Sequence, residues 1–110
     1  MSKAAYWQRG ETLDYKNAGT KTIEANTVIS FGNRIGVAGT DILPGEIGSL
    51  HVTGVFEIPK TAEGTVEMGT DVYFDGNGIT DTKGEDTPLA GYAVQAATAE
   101  DDVILVKLTG

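Results

Sequence analysis

The sequence predicts an all-β fold, a small barrel or sandwich in the jelly-roll manner, made of short antiparallel strands with almost no helix. Three observations predict it. Short β-branched and aromatic runs recur between clusters of Gly, Asn, Asp and Pro. The segment from Ser49 to Ile58 alternates apolar and polar residues with period two. No segment develops an apolar face at helical spacing. A chain of 110 residues, 40% of them apolar, is of a size for one core. Residues 1–110 are therefore expected to form a single β domain, with 1–10 as an extended N-terminal arm.

The first clear strand is Val28-Ile29-Ser30-Phe31, and after Gly32-Asn33 it returns as Arg34 to Ala38, the pattern of a two-residue hairpin. In Ser49 to Ile58, Leu50, Val52, Gly54, Phe56 and Ile58 share one face and the polar positions share the other. Pro59 ends that strand because it cannot donate to a ladder. Thr61 to Gly69 could hold one helical turn at most, since its glycines oppose a longer one. Val72-Tyr73-Phe74 turns through Asp75-Gly76-Asn77-Gly78 into Ile79-Thr80, a second hairpin. The chain finishes with Gly91 to Ala96, a polar turn at Thr98 to Asp102, and Val103 to Leu108. That last strand is apolar on both faces except at Lys107, which predicts burial on both sides, within the domain or against another subunit.

A loose internal repeat suggests a pseudo-duplicated body. Ile23 to Val28 matches Val66 to Val72 with one insertion, both lead to Gly-Asn turns, and Gly36-Val37-Ala38 parallels Gly91-Tyr92-Ala93. Asn26 stands where the second copy has Gly69, and those two residue types share a tolerance of positive φ.

Composition narrows function. Sixteen acids against eight bases give a net charge of −8, which disfavours nucleic acid as a partner. Cysteine is absent, so thiol catalysis and Cys-based zinc sites are excluded. The first ten residues lack the apolar core of a signal peptide, and no apolar run is long enough for a membrane helix, so no membrane association is expected. The glycine-rich stretch Gly32 to Gly48 contains no lysine and leads into a strand, so it is neither a P-loop nor a dinucleotide fingerprint. His51, the single histidine, lies two residues from Ser49, and an alternating strand accounts for both without catalysis. Asp75-Gly76-Asn77-Gly78 has Ile79 at a position where a calcium loop needs an oxygen ligand. No metal or other cofactor is expected.

The lone Trp7 is either a plug in the chain's own core, the commoner role, or an anchor on another chain, where Trp and Tyr are frequent hot spots.

Taken together, Tyr6-Trp7-Gln8-Arg9-Gly10-Glu11, Ile35 to Ala38 with Asp41-Ile42 and Pro44-Gly45-Glu46, the strand Gly48 to Lys60, Val72 to Asp75, and Ala90 to Ala93 with Val103 to Leu108 resemble the capsid cement, or head decoration, proteins of bacteriophages. Some members of that family have carried a recombinase label, which this chain contradicts, having no Walker lysine and too few residues. The resemblance implies a non-enzymatic β-rich protein on the outer surface of the virion capsid, assembled in the host cytoplasm and commonly a symmetric homo-oligomer, dimer or trimer. Its partner would be the major capsid protein.

On that reading, coat contact is expected through Tyr6, Trp7, Gln8 and Arg9 and through a loop tip formed by Ile42, Leu43 and Pro44. Self-contact is expected along the last strand through Val103, Leu105 and Lys107. A virion-surface module for receptors or glycans is the alternative, and it would need a solvent-facing aromatic platform such as Tyr73 with Tyr92.

Overall fold

A computed structural model describes residues 2–109. Nine strands form among them: β1 (Thr12–Lys16), β2 (Val28–Phe31), β3 (Arg34–Ala38), β4 (Ile47–His51), β5 (Thr53–Pro59), β6 (Asp71–Phe74), β7 (Ile79–Thr80), β8 (Leu89–Ala93) and β9 (Val103–Thr109). They make two antiparallel sheets, ordered β1-β4-β3-β2 and β5-β9-β8-β6-β7, with no helix among the described residues. The all-β expectation holds, and of its two forms the sandwich is the one adopted. An isolated bridge between Lys60 and Ile79 brings β7 near the end of β5, but the second sheet does not close into a barrel.

Both predicted hairpins form, Phe31 opposite Arg34 across Gly32-Asn33 and Phe74 opposite Ile79 across Asp75 to Gly78. The long strand Ser49 to Ile58 is instead two strands. Its alternation survives, with Leu50, Val52 and Ile58 buried and Phe56 half-buried. At Val52, however, the chain leaves the first sheet, its N–H bonding the Glu11 carbonyl at 3.0 Å, and β5 enters the second. Alternation reports which side is buried; it does not report which neighbour a strand pairs with. β1 was not legible in the sequence, because Thr12-Leu13-Asp14-Tyr15-Lys16 is an edge strand in which only Thr12 and Tyr15 are partly covered and Leu13 is exposed.

The internal repeat is deeper than its sequence match. Read by position, β1, β4, β3 and β2 correspond to β5, β9, β8 and β6, and β7 is an addition outside β6. The hydrogen bonds repeat as well. Asn26 N–H donates to Ala38 O and Ala38 N–H to Thr27 O, just as Gly69 N–H donates to Ala93 O and Ala93 N–H to Thr70 O. The bridges Ile23–Ile42 and Val66–Ala97 are counterparts. Asn26 at φ 72° and Gly69 at φ 88° occupy the left-handed region that the sequence comparison anticipated. The inferred insertion disappears, since Leu13, Ile23, Asn26 and Phe31 map onto Phe56, Val66, Gly69 and Phe74 at a constant displacement. The two Gly-Asn turns, by contrast, are not counterparts: Gly32-Asn33 joins β2 to β3, whereas Gly76-Asn77 joins β6 to the added β7.

Each repeat carries its own apolar cluster. Ile29, Ala38, Ile42, Leu50 and Val52 are buried together in the first, flanked by Tyr15, Ile23 and Phe31. In the second the equivalents Val72, Ala93, Ala97, Val106 and Leu108 are joined by Ile58, Val66, Phe74 and Ile104. Ile35 and Val37 of β3 also belong to that second cluster, so β3 is covered on both faces and links the halves. The two sheets meet mainly through β3 and β8, the equivalent strands.

Those strands cross their neighbours at a glycine in each repeat. A Cβ on Gly36 would lie 2.6 Å from Leu50 Cγ and 2.9 Å from the His51 carbonyl oxygen. On Gly91 it would run into the Lys107 carbonyl oxygen. Backbone cannot step aside as a side chain can, so Gly91→Ala should lower unfolding stability by about 2–3 kcal/mol, at the upper end for overpacking. Urea denaturation should show the midpoint falling, whereas Gly10→Ala, with nothing within 4 Å of the added methyl, should leave it unmoved.

Candidate functional site

The residues singled out for contact fall on three separate surfaces. Residues 2–9 form no secondary structure and are exposed throughout. Tyr6 is 84% and Trp7 89% exposed, so Trp7 is not a plug in its own core, which closes without an aromatic from the arm. Arg9 reaches only Glu11, at 3.9 Å and in full solvent contact, a pair of little energetic weight.

The second surface is the turn that enters β4. Leu43 is half exposed and Pro44 exposed, and Glu46 N–H closes the turn onto Leu43 O at 3.0 Å. Ile42, expected beside them at the tip, is in fact 1% exposed and part of the first cluster. Its burial has a definite cause. Gly48 leaves a hole in β4, and Ile42 fills it: a Cβ on Gly48 would meet Ile42 Cγ1 at 2.5 Å. In the second repeat the same two positions hold Ala97 and Ile104, the small and large residues exchanged. Ile47, 65% exposed on β4, is the apolar neighbour that sequence reasoning missed.

The outward face of β9 is the third surface. Ile104, Val106 and Leu108 point into the core, while Val103 is 41% exposed, Leu105 half-buried and Lys107 exposed. Within its own domain the strand is thus covered on one side only; its apolar outer positions belong to a face left open. Across the ladder Pro59, Glu57 and Val55 stand opposite Val103, Leu105 and Lys107, and Val55 is 53% exposed. An apolar residue on the polar side of an alternating strand was the available signal for Val55.

Other candidates resolve into structural roles. His51 is half-buried, its ring 6.0 Å from that of Phe56 and its Nε2 over Gly39, where a Cβ would approach to 2.8 Å. Tyr73 and Tyr92 are both half-buried, and Lys107 Nζ lies 5.8 Å from the Tyr92 ring centroid, so they present no open platform. Asp75 caps its turn: Oδ1 accepts from Asn77 N–H at 2.9 Å and Gly78 N–H at 2.8 Å, and Oδ2 accepts from the Thr61 hydroxyl at 2.7 Å. Slight burial pushes its pKa upward, but these donors together outweigh that and hold it below the ordinary value of 3.8. Between the β2–β3 turn and the segment 83–89 lies an open cleft of about 610 Å³, whose lining includes Ser30, Asn33, Asp71, Tyr73 and Leu89.

What the arrangement defines is a β-sandwich with three outward surfaces that carry exposed apolar residues: a peptide arm, a turn and a strand face. The chain belongs to the phage cement protein family, whose model matches residues 7–108, nearly the whole length. Membership gives it a structural role in the phage capsid. No curated protein and no solved structure matches the chain.

The division between core and surface at the β4 turn is testable. Ile42→Ala should cost about 2–5 kcal/mol, whereas Leu43→Ala should stay within about 0.5 kcal/mol of the parent. Gly48→Ala should also destabilise, and combining it with Ile42→Ala should recover part of the loss in a double-mutant cycle. Asp75 gives a pH signature. Because its folded pKa is depressed, its contribution is present above 3.8 and is lost as pH falls through the lower folded value. The stability gap between the parent and Asp75→Ala should therefore be full at pH 7 and close under acid conditions, as read by denaturation at a series of pH values.

Proposed function

We propose that the protein binds the outer surface of an assembled phage head and staples neighbouring subunits of the major capsid protein. The observation that carries this reading is the N-terminal arm, which holds two adjacent aromatics almost wholly in solvent on a chain of the cement family. Exposed Tyr and Trp are the residue types that most often dominate interfaces. In this reading residues 1–110 act as one β domain with 1–10 as the arm, and Tyr6, Trp7, Gln8 and Arg9, together with Leu43 and Pro44, meet the coat. Val103, Leu105 and Lys107 contribute to self-contact in a dimer or trimer.

The mechanism is multivalent and needs no chemistry at a catalytic centre. Each contact patch is small, but a symmetric oligomer resting on two or three coat subunits gains effective concentration at every further contact. Pressure from within must then break all the contacts of a seam at once. The chain with its arm measures 42 × 42 × 24 Å between its Cα extremes, a flat shape that suits a broad face laid across a subunit boundary. Its net charge of −8 keeps decorated particles apart and away from free nucleic acid.

Purified protein added to undecorated shells should bind saturably, with a fixed number of copies per shell, and should raise the temperature at which the shells release DNA. Deleting residues 2–9 should weaken that binding while leaving the denaturation midpoint of the protein unchanged. Absence of saturable binding to any shell would remove the reading.

A further inference from the structure

The internal duplication exposes a vacancy. In the second repeat the outer edge of β6 is covered by β7, with Tyr73 opposite Thr80. In the first repeat the corresponding edge, that of β2, has no strand beside it among the described residues. The backbone there is set up to take one. Phe31 and Arg34 close a two-residue hairpin, so Ile29 and Phe31 bond inward to β3 while Val28 and Ser30 direct their N–H and C=O groups outward. Ser30 is the counterpart of Tyr73, the residue that meets β7. Ser30 also lines the open cleft of about 610 Å³, whose acidic wall is made by Asp71, Glu85 and Asp86, with Lys83 the one cation in its lining.

We propose that this edge receives the N-terminal arm of a second copy of the chain, laid antiparallel along β2 as β7 is along β6. Among the described residues the arm pairs with no strand and is exposed along its length. Its residues 2–9 include Lys3 and Arg9 and no acid, in a chain of net charge −8. Alternation sorts its side chains. With Trp7 opposite Ser30, the face turned to the cleft carries Lys3, Ala5, Trp7 and Arg9, and the other carries Ala4, Tyr6 and Gln8. The indole and both cations thus meet the acidic wall together; of the arm residues assigned to the coat above, Trp7 and Arg9 then serve the sister copy once copies are joined, and Tyr6 and Gln8 stay outside for the coat. The main-chain bonds give affinity and the cleft gives register, as in other strand additions to sheet edges.

The arm of the same copy cannot fill this place. It leaves from β1, at the far edge of the first sheet, and a strand beyond β2 lies four spacings away, about 19 Å. Glu11 is held by its bond to Val52, and the four residues back to Trp7 span at most about 14 Å. Donor and acceptor edges are opposite, so the arm joins copies head-to-tail, into a closed ring or an open chain, or by reciprocal exchange of arms about a two-fold axis.

The inference concerns contact between copies and is tested without capsids, so its failure would leave the shell-binding reading untouched. Trp7 is the single tryptophan and reports its own environment. On concentrating the full chain, its emission should shift to the blue and its quenching by acrylamide should fall. Ser30→Pro removes one outward donor without touching the bonds to β3; it should raise the concentration of half-shift at least tenfold. Should that variant unfold, Glu85→Lys with Asp86→Lys serves the same purpose by reversing the acidic wall. The Ser30→Pro chain offers an arm but no acceptor, and a chain lacking 2–9 offers an acceptor but no tryptophan. Mixing the two should restore the blue shift, saturating at one to one. A Trp7 emission that is independent of concentration, or equally shifted in the edge and wall variants, would overturn the proposal. So would a shift that appears only when undecorated shells are added.

Discussion

The structure depends on one close crossing made twice. In each repeat the central strand passes its neighbour with a glycine at the point of nearest approach, Gly36 against Leu50 and His51, Gly91 against Lys107. Two residues on, Ala38 and Ala93 are fully buried. Small residues at these points let β3 lie close to β4, and β8 to β9, and the large residues around them close the two apolar clusters. Because β3 and β8 are also the strands through which the sheets meet, the same crossings set how one repeat sits on the other. A side chain at either point would push on both an internal ladder and the contact between the halves.

Around that constraint the repeats have diverged in complementary ways. Ile42 over Gly48 and Ala97 beside Ile104 fill equivalent space with the sizes exchanged, which keeps core volume and leaves the backbone in place. Elsewhere divergence changed what faces solvent. The second repeat carries β7 and the segment 81–88, and the first has a bare edge at β2 among the described residues. The result is a molecule with a duplicated interior and a non-duplicated surface.

The surfaces differ in how far they could be read from residue order. Tyr6 and Trp7 stand out in any reading, and solvent exposure removes the reading of Trp7 as a plug in its own core. Ile42 misleads, because beside Leu43 and Pro44 it looks like part of an apolar tip; the hole that buries it is made by Gly48, six positions later on a strand lying underneath. Val103 to Leu108 reads as a strand apolar but for Lys107, and only the exposure of Val103, Lys107 and their partner Val55 shows an open face. The DGNG segment invites a metal; hydrogen bonds show Asp75 fully engaged in holding its own turn.

By itself the sequence determined what is local: the β class, the hairpins at Gly32-Asn33 and Asp75 to Gly78, the buried side of Ser49 to Ile58, and the positive φ shared by Asn26 and Gly69. These follow from turn chemistry and period-two patterning, which act within a few residues. The tertiary structure alone decided that the strand Ser49 to Ile58 divides between two sheets, that the repeat extends back to β1, and that the edge of β2 stands open where that of β6 is covered. Those are matters of which strand lies beside which. Partners far apart in the chain meet through backbone bonds that carry no residue identity, and such pairings leave no mark in the order of side chains.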